Sequence, residues 1–263
     1  MKIKAVFMDL DGTLLRNNHT ISEKIKNKLK ELEEKEVKIF ISTGRSFKSA
    51  VPFVRELEIK TPVITYNGGR IVEPVAEKVI CEKPVDKENV EKVIEISREK
   101  GIHLNLYNDD NLYIESKDDE GLGYANRVSI PYFVVNFDEF KGKTSTKCLF
   151  VAENEKLVEL KKELEKILTD VNIVFSHATY LEVLNKEVNK GAAVKEMLQK
   201  YGISPDETMA FGDQWNDLEM LKLVKHGYLM GNASDDLKSK FSEDRITLSN
   251  EEDGIYHILK DIN

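Results

Sequence analysis

Cysteine is nearly missing from this chain of 263 residues. The two present, Cys81 and Cys148, lie far apart, each in an apolar or mixed run. That scarcity excludes a disulfide framework and a thiolate zinc centre, and leaves two buried free thiols as the reading. No apolar run approaches the roughly 20 residues of a membrane-spanning helix. No apolar leader with a cleavage site precedes the first strand pattern. The expectation is a cytoplasmic protein with no membrane partner. An excess of basic charge is missing as well: 47 acidic residues face 39 basic ones, interspersed, for a net charge of -8. Composition therefore gives no nucleic-acid partner. Internal repeats and low-complexity tracts are absent. The two glycosylation-like triplets, Asn18–His19–Thr20 and Asn232–Ala233–Ser234, read as chance matches.

What is present is an alternation of strand and helix patterns at both ends of the chain. Lys4–Leu10 is an unbroken apolar run, as expected of a strand covered on both faces. Residues 22–34 carry Ile25, Leu29 and Leu32 at helical spacing, with Ser22 as N-cap. A strand at Val37–Ser42, a helix at Phe47–Leu57 and a strand at Pro62–Tyr66 follow. This alternation predicts a parallel sheet with right-handed crossovers. The middle of the chain reads as α+β: hairpin-like strands, two long amphipathic helices, and the turn Asn108–Asn111 between two strands. Strand–helix alternation returns from Lys190. The fold class is thus α/β, a Rossmann-like parallel-sheet core made of residues 1–82 and 187–263. An α+β domain would be inserted at residues 83–186. The acidic stretch Asn250–Asp253 reads as a surface loop.

In parallel α/β sheets, ligands bind beyond the carboxyl ends of the strands. Four polar clusters fall at such ends: Asp9 and Asp11 after the first strand, Ser42–Thr43–Gly44–Arg45 after the second, Asn67–Gly68–Gly69 after the third, and Gly212–Asp217 after the strand that follows the insert. Paired carboxylates at the end of a buried strand repel one another and demand a positive partner. Carboxylates and a hydroxyl without soft donors specify a hard cation, Mg²⁺ rather than Zn²⁺. One carboxylate beside such a cation can attack phosphorus, and a second can move the proton. Thr43, Lys190 and backbone N–H groups can supply donors to phosphoryl oxygens. Plainer readings stand beside these. Thr43 can cap the next helix, Asn67 can form a turn, and Arg45 can be a surface ion pair instead of a substrate contact. Spacing excludes an EF-hand, a P-loop and a dinucleotide fingerprint.

The segments "DLDGTLL", "ISTGR", "NKG" and "GDQWNDLEM", in that order, resemble motifs I to IV of the haloacid dehalogenase superfamily of phosphatases. The "YNGG" after the third strand, the position of the insert and the late "EDG" resemble its Cof-like subclass, IIB. The resemblance spans the whole chain. It implies Asp9 as nucleophile and Mg²⁺ ligand, and Asp11 as general acid and base, with its backbone carbonyl also on the metal. It implies Thr43 as phosphoryl donor and Lys190 as the lysine that neutralises Asp9 and phosphate. Asp213 would be the third protein ligand, and Asp217 would hold the metal or its waters. Gly12, Gly44, Arg45, Asn67 and Asn216 would line the phosphate and substrate side. The expected activity is Mg²⁺-dependent hydrolysis of small phosphorylated metabolites, sugar phosphates first, by a monomer or weak homodimer. The alternatives are a phosphotransferase or mutase using the same aspartyl-phosphate, and a non-catalytic sensor of a phosphorylated ligand. The insert would act as a mobile cap. His103, Asn105 and Tyr107, or the segment Tyr180–Leu184, would provide its specificity face.

Overall fold

A computed structural model describes residues 2–128 and 130–262. It divides into two compact units. One comprises the chain through Arg45, Ala50–Ile80 and the segment from Asn189 onward; the other comprises Ser46–Ser49 and Cys81–Val188.

The first unit is built on strands β1 (Ala5–Met8), β2 (Lys38–Ile41) and β3 (Val63–Thr65), followed in the chain by β4 (Arg70–Glu73) and β5 (Lys78–Glu82), whose last two residues are assigned to the second unit. The second unit carries β6 (His103–Asn108), β7 (Asn111–Ile114), β8 (Tyr132–Val134), β9 (Lys147–Val151), β10 (Val171–His177) and β11 (Tyr180–Asn185). The chain then returns to the first unit with β12 (Thr208–Gly212) and β13 (His226–Leu229).

In the first unit the strands run β13-β12-β1-β2, every pair parallel. β3 joins beside β2 through a parallel bridge between Ser42 and Ile64 and turns back into an antiparallel β3-β4-β5 ribbon. β1 is buried along its whole length and shows no polar alternation, because helices cover both faces of a parallel sheet. Register partners Phe7 and Phe40 stack with ring centroids 4.4 Å apart, tying β1 to β2. The helix Glu23–Glu34 turns Ile25, Leu29 and Leu32 inward, as its spacing predicts. Ser22 precedes it in an extended conformation, but its hydroxyl makes no capping bond; it serves Asp253 instead.

The second unit has the sheet order β10-β11-β9-β6-β7-β8, antiparallel except for β7 beside β8. One face carries Leu104, Leu106, Cys148, Phe150, Leu181 and Val183, packed on the helices Lys87–Lys100 and Asn154–Ile167 through Val90, Val93, Leu157 and Leu164. The alternate residues present a polar face that is also buried: Asn105 and Tyr107 on β6, Lys147 on β9 and Glu182 on β11. Tyr124 of the helix Asp119–Val128 bonds the Tyr107 hydroxyl at 2.8 Å.

Several details depart from the sequence reading. β8 is absent from it, since three partly exposed residues carry no usable period. Ser46–Ser49 belongs with the second unit, where the Phe47 and Lys48 amides donate to the Asp110 carboxylate at 2.9 and 2.7 Å. Cys148 is buried as expected, but Cys81 is partly exposed. Asn250–Asp253 is no simple surface loop: Asn250 and Asp253 are 4% and 8% exposed, fixed against the segment after β1.

Candidate active site

The polar clusters of the first unit sit at the carboxyl ends of its parallel strands. The Asp9 amide extends the ladder by donating to Phe211 O at 3.1 Å, so Asp9 lies where β1 and β12 finish together. The chain then bends at Gly12, with φ of +72°. A Cβ at Gly12 would lie 2.4 Å from Asp213 Oδ2, so any larger residue would displace the Asp213 carboxylate. The Thr13 hydroxyl donates to Asp213 Oδ1 at 2.8 Å.

After β12 the chain wraps around Asp217. Its Oδ2 accepts the amides of Asp213 and Gln214, each at 3.0 Å, while Oδ1 accepts Lys190 Nζ at 2.6 Å. Lys190 opens the helix Lys190–Tyr201, whose first turn is capped by Asn189 through the Ala192 amide at 2.7 Å. The Lys190 side chain is fully buried and also reaches Asp9 Oδ1 at 2.8 Å. Asp9, Asp213 and Asp217 each place a carboxylate oxygen within 4.8 Å of the others.

Thr43, Gly44, Asn67 and Asn216 form a neighbouring set. Thr43 is held by its amide to Ile64 O at 2.9 Å, and its carbonyl accepts the Asn67 amide at 3.0 Å. Its hydroxyl accepts the Arg45 amide at 3.2 Å. Asn67 stands at φ of +59°, which asparagine tolerates better than most residues. Its Oδ1 accepts Asn216 Nδ2 at 2.9 Å and faces Gly44, where a Cβ would lie 3.1 Å from it.

Asp9 and Asp11 part company. Asp9 is buried and points to Lys190. Asp11 has a half-exposed side chain, and Arg45 takes both of its oxygens, Nε to Oδ2 at 2.7 Å and Nη2 to Oδ1 at 2.5 Å. The positive partner of the Asp11 side chain is therefore an arginine. The side-chain carboxylate cluster is therefore Asp9, Asp213 and Asp217, without Asp11; the resemblance places Asp11 on a metal through its backbone carbonyl, which the Arg45 pairing does not touch.

The electrostatics follow from burial and neighbours. Burial pushes Asp9 well above the usual carboxylate range; Lys190 opposes this, while Asp217, Asp213 and Asp11 repel. Burial and Asp217 push Asp213 up to about 6, against the Thr13 and Gln214 hydrogen bonds. For Lys190, burial favours the neutral amine, but Asp217 and Asp9 outweigh it and hold the ammonium above its ordinary range. For Asp11, burial is outweighed by the Arg45 fork, which keeps the carboxyl below its usual value.

Three buried carboxylates meet a single ammonium here. The surplus of negative charge, in an all-oxygen donor set, is what a hard divalent cation fits. Asp9 and Asp213 are the carboxylates suited to hold it. Asp217 is fully enclosed and binds the Lys190 ammonium and two backbone amides of its own loop, so it supports that pair. Thr13, Gln214, Asn232 and Asn250 were not singled out from the sequence. Each acts by hydrogen bonds to residues distant in the chain or to the neighbouring Asp213 side chain, and carries no spacing signal of its own.

A family model described as haloacid dehalogenase-like hydrolase matches residues 6–259. The chain belongs to the haloacid dehalogenase-like hydrolases. It is similar to a haloacid dehalogenase-like hydrolase from Bacteroides thetaiotaomicron, at 27% identity and a TM-score of 0.89 over 100% of both chains. It is also similar to the structure of the HAD subclass IIB sugar phosphatase BT4131, at 28% identity and a TM-score of 0.85 over 98% of each chain. Among curated relatives, the 5-amino-6-(5-phospho-D-ribitylamino)uracil phosphatase YitU of Bacillus subtilis is 28% identical over 97% of this chain and 96% of that protein. No helix among the described residues of this hydrolase is long and apolar enough to cross a membrane.

Proposed function

We propose that this haloacid dehalogenase-like hydrolase is a Mg²⁺-dependent phosphatase that cleaves small phosphomonoesters through a phosphorylated Asp9. The observation that carries the reading is the Asp9–Lys190–Asp217 chain at the joint ends of β1 and β12. Asp9 is the nucleophile: its oxygen bonds to phosphorus as the ester P–O bond breaks, and Asp11 gives its proton to the departing alkoxide. Water then attacks phosphorus, the Asp9–phosphorus bond breaks, and Asp11 takes the proton of that water. Bound between Asp9 and Asp213, magnesium would polarise the phosphoryl oxygens and offset charge as phosphate approaches Asp9. Lys190 neutralises Asp9 in the resting enzyme and keeps it in one orientation. Thr43, Gly44, Asn67 and Asn216 offer hydroxyl, amide and backbone donors to the phosphoryl group.

Asp11 meets two opposing demands. Its pairing with Arg45 favours the ionised form, which suits the base in the second step. To act as acid in the first step it must leave the guanidinium and gain a proton. Arg45 is thereby assigned to control Asp11 in addition to contacting substrate.

The relatives named as acting on a ribityl phosphate and on sugar phosphates support a polyhydroxylated leaving group. The insert is proposed as the cap domain that selects it. Its buried polar face fits that role, because Lys147 and Glu182 form an ion pair at 2.9 Å beside Asn105, whose Nδ2 has no hydrogen-bond partner among the described residues. A phosphometabolite panel tests the reading. Sugar and polyol phosphates should be hydrolysed with Mg²⁺ and not after chelation, and the Asp9→Asn variant should be inactive on all of them. Chelator-resistant turnover, or an active Asp9→Asn variant, would remove the mechanism.

A further inference from the structure

Asn232 lies just after β13, in the triplet that resembles a glycosylation site. Its Nδ2 donates to Gly12 O at 2.8 Å and reaches Asp213 Oδ2 at 3.5 Å, the outer limit of a hydrogen bond. Its Oδ1 accepts the Asn250 amide at 3.2 Å. These partners fix the orientation of the carboxamide: flipped, its oxygen would face a carbonyl and a carboxylate, and its NH₂ would face an N–H group. Asn250 in turn is buried, and its own Nδ2 donates to Leu15 O at 2.9 Å and Asn17 Oδ1 at 3.3 Å. Arg16 meets Asp253 at 2.7 Å, and the Asn17 amide donates to Glu251 at 2.6 Å. The loop that looked like an acidic surface stretch thus grips the segment that follows Asp11, and Asn232 is the point where that grip reaches Asp213.

We propose that Asn232 is a positioning residue for the divalent-cation site. Its carboxamide ties the Gly12 carbonyl to the Asp213 carboxylate and so fixes the spacing between the Asp9 loop and the other metal-holding strand end. Asp213 is then oriented from two sides, by Thr13 on Oδ1 and by Asn232 and Gln214 on Oδ2. Partners that orient a ligand without touching the metal commonly govern its affinity by 10–100-fold. The inference rests on the reading that Mg²⁺ binds between Asp9 and Asp213.

Calorimetric titration with Mg²⁺ tests it without recourse to turnover. Asn232→Ala removes the carboxamide, and Asn232→Leu removes it while keeping volume. Both should raise the Mg²⁺ dissociation constant at least about tenfold, with the melting temperature of the metal-free protein close to that of wild type. Saturating Mg²⁺ should then restore most of kcat and leave KM for substrate unchanged. A dissociation constant within less than tenfold of wild type in both variants would overturn the proposal. Wild-type protein that takes up no Mg²⁺ would instead overturn the metal reading of the site.

Discussion

The four-stranded and six-stranded sheets handle polar side chains in opposite ways. In the first unit, β1 and β12 are buried along their lengths, and carboxylates come only where they stop, at Asp9 and Asp213. In the second unit, polar and charged residues lie inside the strands, with Asn105, Tyr107, Lys147 and Glu182 on one face and the apolar core on the other. The difference follows from strand direction. A parallel sheet covered on both faces has no place for a charge except at its ends. A mainly antiparallel sheet alternates, and one face is free to carry polar groups. Each unit contains a buried lysine–carboxylate contact, but Lys190 is shared by two acids while Lys147 meets Glu182. The first arrangement leaves negative charge over; the second balances.

That contrast can be broken most directly at Asp9. Asp9→Asn keeps shape and removes the proposed nucleophile, so turnover should fall by at least about 10³-fold. Aryl-phosphate hydrolysis with circular dichroism as the check on folding measures it. Lys190→Met comes next, because it strands two buried carboxylates. Loss of one partner from a buried pair costs about 3–5 kcal/mol, and urea unfolding should show a loss of that order. The paired change Lys147→Met with Glu182→Leu sharpens the comparison: removing both charges together should leave stability within about 1–2 kcal/mol of wild type, while KM values across the phosphate panel change. If this double variant unfolds like Lys190→Met, the distinction between the two lysines fails.

A pH series separates the units further. Asp213 is raised to about 6 in the folded protein against an ordinary value of 3.8. The folded state then holds more protons than the unfolded chain between those values. This group's contribution therefore favours the fold at low pH and is lost as pH rises through about 4 to 6. Melting temperatures of metal-free protein should decline through that window, and Mg²⁺ should reverse the decline. The smallest expected effect is at the surface. Arg45→Met frees Asp11, whose pKa should rise. The protonated acid then persists to higher pH, so the alkaline limb of the rate profile governed by Asp11 should move upward. An unmoved profile would show that Arg45 does not control Asp11.

The positions of Asp9, Thr43 and Asp213 were legible because strand ends are marked by an abrupt change from apolar to polar residues. The helix Lys190–Tyr201 was legible to the residue, since Asn189 caps its start and Gly202 ends it in the left-handed conformation. Other features had no local signal. The partner of Asp11 is 34 residues away, and Thr13 meets Asp213 across 200. Asn250–Asp253 looked solvated because it is acidic, yet Arg16 and Leu15 O satisfy Asp253 and Asn250.

By itself the sequence determined the α/β class with its parallel sheet, and it marked the polar groups proposed to react, because hydrophobic period and residue chemistry are local properties. Only the tertiary structure decided which of those groups meet: Asp9 and Asp217 at Lys190, Asp11 at Arg45, and Asn232 at the Gly12 carbonyl. Hydrogen bonds and charge pairing depend on which atoms come within about 3 Å of one another, and separation along the chain does not encode that.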